Sequence, residues 1–309
     1  MERTCKWKLN WIKWTVIAAL LVFASARIYY ALTDDFRLSN ITYPVPYEKN
    51  WEIAGSSPEE KKHLKQILDQ PFYYLGKGAQ SYAFVSKDDK YVLKFFKFKH
   101  LRPSLFVDAL PSVGLLKRYK EKQIARKERK LFGVFRSYKL AYDVEKNESG
   151  LIFIQLNSED NPKRYATIID KIGFKRVIDL HNYPFILQIK GETLRVVVND
   201  LLKKGNIAEV EKRLGQMLEL YAGEYRRGIY DHDHGVMQNT GFIGDRPFHL
   251  DVGKLMREEK MRDQIYAKQD AEVVAGKINE WVKKNYPQYS LQIAGYLNEK
   301  IRQLYTGSL

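Results

Sequence analysis

The chain opens on an apolar run. Residues 14–32 hold a single charged side chain, Arg27, and Arg3, Lys6, Lys8 and Lys13 stand ahead of them. About 20 residues suffice for a helix to cross a bilayer, so the pattern predicts a single-pass anchor over 14–32 behind a basic cytoplasmic tail, 1–13. Ala24-Ser25-Ala26 also fits a signal-peptide cleavage site, which makes a cleaved leader the competing reading. Positive residues before the run and Asp34-Asp35 after it would put the rest of the chain outside the cytoplasm, where ATP is scarce. Residues 33–60, rich in Pro, Asn, Ser and Asp, read as a linker that Pro44 and Pro46 hold extended. At its end Ser57-Pro58-Glu59-Glu60 predicts a capped helix running to about Leu68.

From Phe72 the period becomes two. Short apolar or alternating stretches at 72–75, 81–86, 91–96, 151–156, 165–169, 175–180 and 185–190, each bounded by polar turns, predict a mainly antiparallel sheet. A long basic helix at 115–142, weakened at Gly133, interrupts them, and the segment 102–114 with Pro103 and Pro111 reads as an insertion. The period then becomes helical. A helix is expected over 192–204, and a second starts at Asn206 as N-cap with Ile207, Val210, Leu214, Met217, Leu218, Tyr221 and Tyr225 on one face. Residues 258–309 read as two or three helices split near Tyr286-Pro287. The class is therefore α+β, with sheet over 61–190 and helices over 191–309.

Composition narrows this only a little: 309 residues at 45% hydrophobic content suit one globular unit with a two-lobed core, and no internal repeat is present. The net charge of +15 favours anionic partners such as nucleic acid, acidic lipid or phosphate-bearing substrates, and nothing more specific points to nucleic acid. Cys5 is the one cysteine, so intramolecular disulfides and cysteine-based zinc sites are excluded.

Candidate chemistry gathers in residues 228–254, GIYDHDHGVMQNTGFIGDRPFHLDVGK. Read as an extended strand, Asp231-His232-Asp233-His234 puts both histidines on one side, and with His249 and Asp251 it permits a transition-metal hydrolase. Read for oxygen donors, Asn239 and Asp251 offer an amide and a carboxylate oxygen, hard ligands suited to magnesium. Upstream, Gly76 and Gly78 would let backbone N–H groups approach phosphate oxygens, with Lys94 a positive charge on the strand after them.

These motifs in this order resemble the protein-kinase-like superfamily. LGKGAQSYAF resembles G-x-G-x-x-G-x-V, with Ser81 at the third glycine and Ala83 at the valine, and Val92-Leu93-Lys94 resembles V-A-I-K. Asp231-His232-Asp233 stands where the family has H-R-D, followed by Asn239 and by Asp251-Val252-Gly253 at D-F-G. The Asp233-to-Asn239 gap is one residue longer than the family's, no A-P-E tripeptide occurs, and only 56 residues follow Gly253. The resemblance implies a two-lobed fold with an antiparallel N-lobe (61–190, with an insertion), a reduced helical C-lobe (191–309) and one transmembrane helix before them. It implies ATP and magnesium as cofactors and transfer of the γ-phosphate to a hydroxyl acceptor: an anionic glycan, lipid or protein. Gly76, Gly78 and Lys94 would hold the nucleotide phosphates, and Glu128, with Glu121 in reserve, would orient Lys94. Asn239 and Asp251 would hold the metal, Asp233 would be catalytic, and backbone groups from Gln188 to Gly191 would meet the adenine. The alternatives are an inactive pseudokinase or basic, membrane-anchored binding module, and the metal-dependent hydrolase.

Overall fold

A computed structural model describes residues 2–42, 45–53, 57–101, 103–157 and 164–306. Pro44 and Arg102, read above as loop residues, lie outside them. Helix α1 (Glu2–Leu32) has no break at residue 13, so the residues read as a separate tail are its first turns. Its stretch Lys13–Leu32, 20 residues, is long and apolar enough to cross a membrane. The helix stops where Asp34 and Asp35 take left-handed backbone angles (φ 51 and 67), a region that short polar side chains tolerate.

The chain read as linker is then drawn into the fold. Phe36 is buried edge-on against Tyr82 and Phe84, with ring centroids 5.2 and 5.0 Å away. Helix α2 (Leu38–Ile41) buries Ile41, and Trp51 is buried further along. Helix α3 (Pro58–Leu68) starts with the expected capping box: Glu60 N–H donates to Ser57 Oγ (3.1 Å) and Ser57 N–H to Glu60 Oε2 (2.9 Å). It packs Leu64, Ile67 and Leu68 on the same core.

Strands β1 (Pro71–Lys77), β2 (Ser81–Ser86) and β3 (Tyr91–Phe96) follow, then short helices α4 (Phe98–Leu101) and α5 (Leu105–Ala109), the long α6 (Gly114–Val144) and α7 (Lys146–Ser149). Strands β4 (Leu151–Gln155), β5 (Tyr165–Ile169), β6 (Lys175–Asp179) and β7 (Phe185–Ile189) complete a seven-stranded sheet in the order β4-β7-β3-β2-β1-β5-β6. All pairs are antiparallel except β1 with β5. Gly133 does not break α6, because a mid-helix glycine costs only about 0.5–1 kcal/mol against the rest of a 31-residue helix. Alternation along β3 divides the sheet's faces. Leu93 and Phe95 join the core under Phe36 and α3, while Phe96 joins the core formed with α6, leaving Lys94 on that inner side.

The second lobe begins at β8 (Glu192–Thr193), whose pairing with a later hairpin delays α8 (Leu194–Lys203) by two residues relative to the expected start. Helix α9 (Ile207–Arg226) is capped by Asn206 as expected, Glu209 N–H donating to its Oδ1 at 3.2 Å. After it come β9 (Ile229–Asp231), α10 (Val236–Asn239), the hairpin β10 (Thr240–Ile243) and β11 (Arg246–His249), and β12 (Leu255–Arg257), which pairs with β9. Helices α11 (Gln264–Asn285) and α12 (Ser290–Thr306) pack on α9 around Leu214, Leu218, Val274, Ile278 and Leu297. The result is an α+β molecule with a sheet lobe, a helical lobe and one apolar N-terminal helix, and the loops 228–254 lie between the lobes.

Candidate functional site

Lys94 and Asp251 come together from opposite lobes. The Lys94 side chain is 6% exposed, and its Nζ donates to the Leu250 carbonyl at 2.6 Å. Burial pulls its pKa down to about 8, against an opposing pull from the Asp251 carboxylate. The Asn239 carbonyl fixes the Asp251 segment by accepting Leu250 N–H at 2.7 Å and Asp251 N–H at 3.1 Å. Asp251 Oδ1 accepts from Gly253 N–H (3.0 Å) and from the buried Tyr138 hydroxyl (3.3 Å). Its Oδ2 has no partner among the described residues.

Asp233 lies on the same loop system, exposed. Its Oδ2 accepts from Asn239 Nδ2 (3.1 Å), and Lys254 Nζ stands 3.2 Å from its Oδ1. The extra residue between Asp233 and Asn239 coincides with a left-handed turn at His234 (φ 48), after which α10 brings Asn239 back to Asp233. Asp231 caps the turn, its Oδ1 accepting Asp233 N–H at 2.9 Å. Its other oxygen is buried without a partner, and burial raises its pKa.

The glycine-rich turn is the β1–β2 connection. Gly78 N–H donates to Ser81 O (2.9 Å), and Lys97 clasps the turn from below, its N–H on Gln80 O (2.7 Å) and its Nζ on Gly78 O (2.9 Å). Neither Gly76 nor Gly78 has a positive φ. A Cβ would meet nothing within 4 Å at Gly76 and nothing nearer than 3.9 Å at Gly78, so the fold itself does not require glycine there. Gly253 is different: a Cβ would stand 2.6 Å from Gln80 Oε1, because the turn reaches down to the Asp251 segment.

Three expectations need correction. Glu128 does not reach Lys94: it is exposed, because α6 first buries a side chain at Leu131 and Glu128 lies one turn beyond the packed region. Glu121 lies further out, 3.9 Å from Lys117. Among the described residues no α6 carboxylate bonds to Lys94 or Asp251, and the helix contributes Tyr138 instead. In the segment from Gln188 to Gly191 two backbone donors are already committed, Ile189 N–H to Gly150 O (2.9 Å) and Lys190 N–H to Lys90 O (2.8 Å), and the Gln188 side chain donates its Nε2 to Ser149 O (2.5 Å). Finally, the strand ends at Asp231 and His232-Asp233-His234 turn away from it rather than continuing extended, so the histidines diverge. His234 pairs with Asp270 on α11 (2.7 Å), and His249 is buried against Glu224 (2.9 Å), while His232 is exposed. Among the described residues no three His, Cys, Asp or Glu side chains gather as a metal-binding group.

Tyr138, Gln80, Lys97 and Lys254 were not foreseen. Tyr138 was legible only as a member of the 131, 134, 135, 138 apolar spacing. Lys254 carried a weak signal, following directly on Asp251-Val252-Gly253.

No protein-family model matches the chain, and no curated protein matches it. Among solved structures, a medium-resolution structure of the bifunctional kinase-methyltransferase WbdD aligns over 74% of this chain and 46% of its own, at 13% identity and a TM-score of 0.35. A high-resolution structure of WbdD aligns over 72% and 44%, at 13% identity and a TM-score of 0.35. A structure of monomeric WbdD aligns over 73% and 48%, at 14% identity and a TM-score of 0.33. This chain spans under half the length of each. The overlap is loose: the molecule is an α+β protein of two lobes, and its solved neighbours include a bifunctional kinase-methyltransferase.

Proposed function

We propose that this protein is a membrane-tethered, kinase-like phosphotransferase that moves the γ-phosphate of ATP to a hydroxyl acceptor with magnesium. The observation that carries the reading is the meeting of Lys94 with the Leu250-Asp251 segment, 156 positions later, beside Asn239 and Asp233. Burying an ammonium against one carbonyl is costly unless the site has a use for the charge, and a phosphate is such a use.

The residues fit the nucleotide and its metal on three counts. Open space above Gly76 and Gly78 leaves room for phosphate oxygens, Asp251 Oδ2 is an uncommitted hard donor, and Asn239 offers its amide oxygen. Bound magnesium-ATP supplies the transferable phosphoryl group and neutralises its charge. In this reading Lys94 holds phosphate oxygens and Asp251 with Asn239 holds the metal. Tyr138 steadies Asp251, and Asp233 orients the acceptor hydroxyl and takes its proton. Lys13–Leu32 serves as a retained anchor rather than a cleaved leader.

The test is a thermal-shift titration of the full-length chain in nonionic detergent with ATP, with and without magnesium. A ligand at 100 times its Kd stabilises by about 2.7 kcal/mol. Asp251→Ala should abolish the magnesium-dependent shift, whereas Asp233→Asn should keep it and depress transfer by about 10² to 10⁴-fold. No shift with the unaltered chain would overturn the reading in favour of a binding module.

A further inference from the structure

Between α6 and β12, reaching His232 and the Lys254 that pairs with Asp233, lies a cavity of about 610 Å³ that the roles above leave unused. Its rim is cationic: Arg129, Lys130 and Arg136 from α6 face Lys254 and Arg257 from the other lobe. Lys254 is paired with Asp233, but none of Arg129, Lys130, Arg136 or Arg257 has an acidic partner among the described residues. Four unpaired cations on one rim repel one another, and an anion between them relieves the repulsion. The walls are apolar, formed by Val134, Leu140 and Leu255 among others. The mouth adjoins the proposed chemistry, since Gln80 and Gly253 also line the cavity. Gln80 Oε1 is shut from solvent with no hydrogen-bond partner, and a ligand hydroxyl is the kind of donor it lacks.

We infer that this cavity is the acceptor site, and that the acceptor carries a phosphate or carboxylate on an apolar body as well as the hydroxyl that is phosphorylated. The inference rests on the phosphotransferase reading for the word acceptor, but binding can be tested apart from it. The α6 and Arg257 cations hold the anion, the apolar walls bury the body, and the hydroxyl lies toward Gln80 and Asp233.

The probe is phenyl phosphate, titrated calorimetrically into the full-length chain in nonionic detergent, with a non-hydrolysable ATP analogue and magnesium at saturation. Saturable binding is expected, weakened about tenfold or more by the paired exposed changes Arg136→Gln and Arg257→Gln, because charge-assisted hydrogen bonds to the anion are lost. Lys130→Gln alone should act in the same direction and more weakly, which keeps the test sound if the double variant fails to fold. Absence of binding, or unchanged affinity in both variants, would overturn the inference. Inorganic phosphate binding as tightly as phenyl phosphate would overturn it too, since the apolar walls would then contribute nothing. If phenyl phosphate obeys the charge changes while the chain takes no nucleotide, the cavity stands and the phosphotransferase reading fails. The converse result spares that reading and removes the cavity's role.

Discussion

Lys94 and His249 are buried charges with opposite pH signatures. Burial lowers the Lys94 pKa from 10.5 to about 8, so the folded state disfavours its protonation. The associated stability is present above pH 10.5 and is lost as pH falls through about 8. In Lys94→Met this slope should vanish: the stability difference, wild type minus variant, should rise by up to a few kcal/mol between pH 8 and 10.5, read from urea unfolding. Burial alone would lower the His249 pKa, but the Glu224 carboxylate and its hydrogen bond overcome that and push it up to about 9, from 6.5. The sign reverses. Its stability is full below pH 6.5 and is lost as pH rises through 9, so the wild-type advantage over His249→Gln should shrink across that window, again by a few kcal/mol at most. A flat difference curve for either variant would remove its residue from the account.

At the scale of elements, the N-terminal helix is fastened to the glycine-rich hairpin. Asp34 lies 3.4 Å from Lys77 and 3.0 Å from Lys171 and accepts from the Tyr74 hydroxyl at 3.2 Å. Arg37 stacks 3.5 Å from the Tyr30 ring centroid, which ties the following segment back to α1. Phe36 closes the outer face of the sheet. Phe36→Ala should therefore destabilise the sheet lobe by about 3–5 kcal/mol in denaturant unfolding, whereas a free linker would tolerate it within about 0.5 kcal/mol. Gly133 offers the opposite case. Its φ is not positive and a Cβ there meets nothing within 4 Å, so Gly133→Ala should stabilise by about 0.4–1 kcal/mol, measured the same way.

At the scale of the whole molecule, the apolar stretch Lys13–Leu32 leads into a segment fastened to the sheet lobe, so its retention as an anchor would fix how the cleft stands over a membrane. The chain should keep its own N-terminus and stay with membranes through carbonate extraction. An N-terminus found near Arg27 would show that the run is a cleaved leader instead. Retention gives the α6 and β12 cations a defined height above the surface, which a chain released by cleavage would lack.

The sequence by itself determined many of the elements. Strands at 81–86 and 91–96, the Ser57 and Asn206 caps and the 3-and-4 spacing of α9 follow from local rules, because turn chemistry, capping and periodicity act over a few residues. It also determined the order of Gly76, Lys94, Asp233, Asn239 and Asp251 along the chain. Only the tertiary structure decided which of those residues meet. Whether Glu128 reaches Lys94 depends on where along α6 the sheet begins to touch it, and a helical pattern gives a face but not an axial position. Whether His232, His234 and His249 converge depends on a turn angle at residue 234 and on partners such as Asp270 and Glu224 from other elements. Tyr138 stands 113 positions from Asp251, and no spacing rule reaches that far, because contacts at such separation are chosen by how whole elements pack.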